Sequence, residues 1–333
     1  MWILFTFLTF YIPKIVYCLL DLAASLPKLW KGNRIKWISK TGVCLGVIIF
    51  GAMWWGAMGG RYATRIREIT VEIPGLPSEF EGYRIIQFSD FHVGTYGQDT
   101  SFVSKTVDRL NRLDADLIVF TGDIVNRHTK ELLPFVGPFS RLKAHDGVIA
   151  ILGNHDYGDY HDWPTEQAKM ENRKLLIELF RKMGWRLLLN ETEFVEKNNS
   201  SLAIIGVENI GDPPFQVYGS LAEAYPYQLS DSITKILLTH NPAHWSDEIE
   251  SNSEINIPLT LSGHTHAMQI EICGLSPAVF RYPNWGGLYS AKDDPEKHLY
   301  VNIGMGEVGI PMRVGARPEI TVITLTGISE KRN

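Results

Sequence analysis

The chain opens on two long apolar stretches and then changes rhythm. Residues 2–20 are almost wholly apolar, interrupted by Pro13-Lys14, and residues 41–60 hold no charge and close on Trp54, Trp55 and a glycine-rich 56–60. Each is near the roughly 20 residues a helix needs to cross a bilayer, and aromatic residues near the ends suit its interfaces. A buried core helix rarely runs that far without a charge. The pattern therefore predicts two transmembrane helices joined by a loop at 21–40. No basic segment precedes the first run, which argues against a cleaved signal peptide. The apolar opening is compatible with a further segment before it.

Beyond residue 68 the apolar runs shorten and begin to alternate with amphipathic ones. Strands are expected at 69–73, 83–88, 117–120, 148–152, 185–189, 202–207, 236–238, 259–261, 299–303 and 319–325. Helical spacing appears at 102–113, where Val103, Val107 and Leu110 share a face behind Thr100 or Ser101 as N-cap. It recurs at 131–142, at 165–183 and within 220–229. Near-continuous apolar strands between amphipathic helices indicate an α/β core buried on both faces. Residues 159–164 and 277–294 stay irregular; the second is rich in aromatic residues and glycine, as a rim loop beside a site would be. The organisation expected is a membrane anchor at 1–60 and an α/β domain at 61–333.

Composition and charge sharpen this picture. With 45% hydrophobic and 21% charged residues the chain is a folding one. Residues 1–67 hold nine Lys/Arg against Asp21 alone, a charge of +8, so the other 23 basic and 36 acidic residues carry -13 of the overall -5. An acidic body excludes bulk nucleic-acid binding, which needs a basic footprint. The loop between the apolar stretches holds Lys28, Lys31, Arg34, Lys36 and Lys40, which the positive-inside rule assigns to the cytoplasm. The second helix would then deliver the main body to the extracytoplasmic side, with Arg61, Arg65 and Arg67 pulling the other way. The three cysteines draw neither a disulfide framework nor a thiolate zinc pattern.

The candidate chemistry sits where the apolar runs stop. Residues 147–152 (Gly-Val-Ile-Ala-Ile-Leu) end in Gly153-Asn154-His155-Asp156; other runs end in Asp90-Phe91-His92, Gly122-Asp123, Thr239-His240 and Gly263-His264-Thr265-His266. A buried strand that ends in glycine and polar residues delivers chemistry to the rim of a sheet. Asp90, His92, Asp123, Asn154, His155, His240, His264 and His266 are all oxygen or imidazole donors, a set that suits Mn, Fe or Zn. Eight such groups exceed one ion's needs and match two divalent ions sharing a carboxylate. In extended backbone alternate residues point the same way, so Asp90 and His92, like His264 and His266, can present two donors to one place. Any one motif alone is an ordinary turn; five together, each after an apolar run, are a site. His128, His145, His161, His244 and His298 lack such a setting and read as solvent-facing or capping residues.

This motif series resembles the calcineurin-like metallophosphoesterase superfamily, most of all its membrane-anchored branch related to the bacterial YkuE-type phosphoesterases. The resemblance covers about residues 68–326, with Thr239-His240-Asn241-Pro242 and Arg317-Pro318-Glu319-Ile320 among its marks. Ala267-Met268 stands where many relatives have two glycines. The resemblance implies a four-layer αββα sandwich with the site at strand C-terminal ends. It implies Asp90, His92 and His266 on a first metal, Asn154, His240 and His264 on a second, Asp123 bridging, and His155 catalytic. Asp156 is expected to orient His155.

The function expected is dinuclear-metal hydrolysis of a phosphomonoester or phosphodiester, membrane-tethered, with a lipid or envelope phosphate ester as a candidate substrate. One alternative is a lipid-precursor pyrophosphatase of the UDP-diacylglucosamine type, whose cytoplasmic substrate conflicts with the topology above. Another is a non-catalytic metal-binding membrane scaffold, which the complete ligand set disfavours. A metallo-β-lactamase reading needs His-X-His-X-Asp-His, which residues 264–269 do not supply.

Overall fold

The computed structural model describes residues 1–225 and 233–328. Two antiparallel helices come first, α1 (Trp2–Ser25) and α2 (Lys36–Met58). Both are long and apolar enough to cross a membrane, and most of their large side chains face outward. Pro13 is accommodated within α1. Gly42 and Gly46 of α2 lie against Tyr17, Leu20 and Pro13 of α1, the close approach that small residues four apart permit.

The strands, in chain order, are β1 (Arg65–Ile73), β2 (Arg84–Phe88), β3 (Leu117–Thr121), β4 (Val148–Ile151), β5 (Arg186–Leu187), β6 (Glu191–Lys197), β7 (Ser200–Gly206), β8 (Thr234–Leu238), β9 (Leu259–Ser262), β10 (Gly287–Ser290), β11 (His298–Val301) and β12 (Glu319–Gly327). They form two six-stranded sheets, ordered β1-β12-β2-β3-β4-β5 and β10-β11-β9-β8-β7-β6. Within them β2 to β5 run parallel, as do β7, β8, β9 and β11.

The period of two decides the layers. On β2, β3 and β4, Ile85, Leu117, Val119, Ile149 and Ile151 face the second sheet, where Leu202, Ile204, Ile236, Leu238 and Leu261 meet them. Their neighbours Ile86, Ile118, Phe120 and Ala150 face the helices α3 (Ser101–Asn111), α4 (Val136–Phe139) and α5 (Glu166–Met183). The outer face of the second sheet is covered by the short α6 (Leu221–Ala224) and a wide helical turn at Trp245–Ile249. The result is the four-layer αββα sandwich, thin on one side. Each fully buried Val, Leu, Ile or Phe in these layers contributes about 1.5–3 kcal/mol relative to exposure.

Several expectations need revision. The helix expected at 131–142 is a tight turn over Thr129–Phe135 followed by the single-turn α4. Pro134 and Pro138 cannot donate to a helical ladder, and Gly137 between them weakens it further. The strand expected at 185–189 shrinks to β5. An edge strand, β6, was not expected at all; it carries four charges and only Phe194 and Val195 as apolar residues. Of 220–229, α6 is helical and 226–229 lie outside the described residues. The irregular 277–294 contains β10.

Candidate metal centre

The sheets deliver the candidate ligands to one rim. Asp90 and His92 follow β2, Asp123 follows β3, Asn154 and His155 follow β4, His240 follows β8, and His264 and His266 follow β9. Asp90, His92, Asp123, His264 and His266 all adopt left-handed backbone, with φ of 51°, 47°, 61°, 76° and 51°. That conformation is costly for side-chain-bearing residues and turns the chain sharply off the strand. Cross-links hold it: the Asp90 N–H donates to Gly122 O at 2.8 Å, and the Gly306 N–H donates to Asp90 O at 2.7 Å. The motif glycines are required by crowding. A Cβ on Gly153 would lie 2.2 Å from Asp123 Oδ1, and one on Gly263 would lie 2.1 Å from Ser89 Oγ.

Three overlapping clusters result: Asp90, His92 and His266; His92, Asp123 and His155; and Asp123, His240 and His264, the candidate ligand atoms of each lying within 4.8 Å of one another. His266 Nε2 is 3.2 Å from Asp90 Oδ1 and 3.1 Å from His92 Nε2. Asp123 Oδ2 lies 3.5 Å from His92 Nε2 and 3.2 Å from His240 Nε2. Asn154 Oδ1 lies 3.1 Å from His240 Nε2, and His264 Nδ1 is 3.3 Å from that same nitrogen.

These donors fit cations. The Nδ1 atoms of His92 and His240 face the carbonyls of Val125 and Thr121 at 3.1 Å and 2.7 Å, and a carbonyl can only accept. The proton is thereby assigned to each Nδ1, so in a neutral ring Nε2 turns its lone pair toward Asp123. Acceptors facing acceptors at the end of a dry core call for a positive ion between them. Burial holds His92 well below its ordinary range and takes His264 down to about 3, so both stay neutral, as ligands must. Burial also opposes charge on His240, but Asp123 and Asp90 outweigh it and push the ring up to about 10, so the same carboxylates that would draw a cation draw a proton onto Nε2, and a metal bound there must displace it. Burial would raise Asp90, yet His266 beside it wins and holds the carboxyl below its usual range.

His155 and Asp156 are adjacent in sequence but make separate contacts. The His155 N–H donates to Asp123 Oδ1 at 2.8 Å, and its ring Nδ1 meets the Asn126 carbonyl at 2.6 Å. Asp156 does not orient that ring. It sits on the tight turn Asn154–Tyr157, and its carboxylate folds back to accept the N–H groups of Gly153, Asp123, Ile124 and Val125 at 2.9, 2.8, 2.9 and 3.2 Å. Burial and the Asp123 charge push Asp156 up to about 7, against four donors that favour the ionised form. Its contacts are with the backbone that carries Asp123 and the loop after it.

Other residues around the centre were not anticipated. Tyr282 reaches in from the irregular 277–294, its hydroxyl 2.8 Å from His264 Nε2. Tyr160 packs on the His155 ring at 4.3 Å and accepts from Asn154 Nδ2 at 2.9 Å. Arg313 is fully buried, donates to the carbonyls of Gly306, Ala316 and Ile303, and lies 3.1 Å from His266 Nδ1. The only sequence signal near it is the run of glycines at 304, 306, 309 and 315. A Cβ on Gly306 would lie 2.0 Å from Phe91 O, so the chain there is pressed against the Asp90-Phe91-His92 turn. At Ala267 and Met268, where many relatives were expected to have two glycines, φ is 52° and 45°, backbone that glycine adopts freely.

Comparison with known proteins agrees with this geometry. A family model described as calcineurin-like phosphoesterase matches residues 83–268. Another, described as the transmembrane domain of a probable calcineurin-like phosphoesterase, matches residues 1–61. An uncharacterized metallophosphoesterase of Bacillus subtilis, YkuE, is 31% identical over 83% of this chain and 94% of its own. A transmembrane protein with metallophosphoesterase domain from Danio rerio is 28% identical over 81% of this chain and 59% of its own length. Among solved structures, NAD nucleotidase (NadN) of Haemophilus influenzae aligns at 16% identity and a TM-score of 0.43, over 67% of this chain and 45% of that one. All the candidate ligands lie inside the first match and both apolar helices inside the second: the chain belongs to the calcineurin-like phosphoesterase family, with a transmembrane region at its N-terminus.

Proposed function

We propose that this protein hydrolyses phosphate esters at a dinuclear divalent-metal centre, with residues 1–60 as the membrane anchor and 61–333 as the phosphoesterase domain. The observation that carries the reading is the placement of Asp123, whose Oδ2 faces His92 on one side and His240 on the other. Asp90, His92 and His266 would hold one ion, and Asn154, His240 and His264 the other, with Asp123 shared. His264 would ligate through Nδ1, since its Nε2 is committed to Tyr282. Bound there, Mn, Fe or Zn ions would lower the pKa of a water and neutralise phosphoryl oxygens.

The remaining roles belong to the chain's own groups. His155 has Nδ1 committed to the Asn126 carbonyl, which leaves Nε2 to carry a proton to the departing oxygen. Its N–H, donating to Asp123 Oδ1, fixes the His155 backbone to the shared carboxylate. Asp156 holds the loop after β3 in the left-handed turn that aims Asp123. Asn126, Tyr160 and Tyr282 fix the orientations of His155, Asn154 and His264.

The test is made on the full chain purified in detergent. Two metal equivalents per chain are expected by elemental analysis, with turnover of aryl phosphomonoesters or phosphodiesters. Two bound metals with no turnover on those esters or on lipid pyrophosphates would leave the scaffold reading standing instead.

A further inference from the structure

Between the metal ligands His264 and His266 and the site-facing Tyr282 the chain makes an excursion whose apolar residues point away from the protein. Residues 272–280 (Ile-Cys-Gly-Leu-Ser-Pro-Ala-Val-Phe) carry no charge. Ile272 and Leu275 pair across a tight hairpin whose two central residues, Cys273 and Gly274, have φ of 52° and 77°. Left-handed backbone at both central positions closes the chain in a tight two-residue turn. At that tip Ile272 is 62% and Leu275 74% exposed, and Phe280 on the following turn is 93% exposed. Buried anchors explain why they do not fold inward: Ser276 Oγ donates to Ala267 O at 2.5 Å, and Ala278 is fully buried.

The base of this excursion is fused to the membrane helices. Ile270 and Val314 pair, and both pack with Phe5 of α1, Met53 and Ala57 of α2, and Met312. The Arg313 N–H donates to Gly56 O of α2 at 3.2 Å. The exposed apolar tip therefore springs from a base packed on the ends of α1 and α2 where these meet the domain. A contiguous apolar protrusion on a water-soluble surface is a liability; beside a bilayer it is an insertion device.

We propose that the 272–280 excursion dips into the interfacial layer of the bilayer that α1 and α2 span, and that it brings the mouth of the metal centre to that surface. Lipid is the occupant because the protrusion continues the surface already facing the membrane helices. Taken with the phosphoesterase reading, on which this second step rests, the substrate class is a phosphate ester of a lipid head group.

Cys273, exposed at the tip, is the natural probe. The full chain carrying Cys18→Ser and Cys44→Ser is labelled there with a nitroxide and placed in phosphatidylethanolamine/phosphatidylglycerol vesicles. A label at Glu178→Cys on α5, in the same background but with Cys273→Ser, serves as the aqueous reference. Molecular oxygen is expected to relax the Cys273 label more than a water-soluble nickel chelate does, with the reverse at position 178. Chelate access at Cys273 equal to that at position 178 would overturn the proposal, as would dipolar broadening that marks a second copy on the tip. In the second arm, Leu275→Asp/Phe280→Asp is expected to cut turnover of a vesicle-embedded phosphatidyl ester by about tenfold and to leave a soluble aryl phosphodiester within about twofold of wild type. Equal losses on both would overturn the substrate class. The label result stands by itself even where no ester turns over, an outcome that counts against the phosphoesterase reading alone.

Discussion

At the residue scale, Asp123 and His155 sit a hydrogen bond apart and are assigned opposite duties, which mutation can separate. Asp123 Oδ2 faces both halves of the ligand set, so Asp123→Asn removes the shared charge and presents an amide to one half. Loss of activity together with metal occupancy is expected. His155→Ala removes a group whose ring is fixed by a backbone carbonyl. Its turnover should fall by about 10²–10⁴, the usual range for losing a general acid, while metal content stays near wild type. Elemental analysis of both variants beside their kinetics decides the matter. A His155→Ala protein stripped of metal would make His155 a ligand, a role its closeness to His92 and Asp123 would then explain. These two residues were legible in the sequence because each follows an apolar run within a few positions. Asp156 was legible as a member of the site and misread in its contact. Sequence adjacency to His155 suggested a pair, whereas the tight turn swings its carboxylate onto backbone amides of the neighbouring strand's loop.

At the element scale, the end of α2 is locked to the centre through buried charge. Arg61, just past α2, forms an ion pair with Glu307 in which both side chains are almost completely buried, and Arg313 continues the line to His266. Breaking such a pair from one side leaves a bare charge inside, at a cost of about 3–5 kcal/mol. Arg61→Met is thus expected to lower the melting temperature of the detergent-solubilised chain, and adding Glu307→Gln should restore most of it. There is also a pH signature. Burial pushes Glu307 up to about 7, only partly offset by Arg61 and Arg313. Between the unfolded value near 4.5 and about 7 the folded state holds the proton more tightly, so stability falls as pH rises through that window. Glu307→Gln should flatten that fall; an unchanged pH profile would show that the carboxyl does not titrate there. None of this was readable beforehand, because Arg61 is distant in sequence from Glu307 and Arg313, and each alone looks like a surface charge. What could be read were the continuous apolar runs of β3 and β4 and the helical period of α5. The misassigned 131–142 has helical apolar spacing but two prolines that forbid the ladder, and β6 has too few apolar residues to announce itself.

At the scale of the whole molecule, the two helices run antiparallel, so the loop joining them and the phosphoesterase domain lie at opposite ends of the pair. That loop carries Lys28, Lys31, Arg34, Lys36 and Lys40, against Arg61, Arg65 and Arg67 at the domain end. Positive charge is held on the cytoplasmic side, worth roughly 1 kcal/mol per Lys or Arg near an anionic surface, so five against three favours a cytoplasmic loop. Asp21 offsets one charge of the loop through Arg34 and does not reverse the balance. The metal centre is therefore expected on the extracytoplasmic face. Single cysteines at Lys31→Cys and Glu178→Cys, in a background with Cys18, Cys44 and Cys273 replaced by serine, test this in intact cells. A membrane-impermeant maleimide should label position 178 and spare position 31 until the cells are lysed. Reversed labelling would put the centre at the cytoplasmic face, where a nucleotide-linked lipid pyrophosphate becomes the fitting substrate.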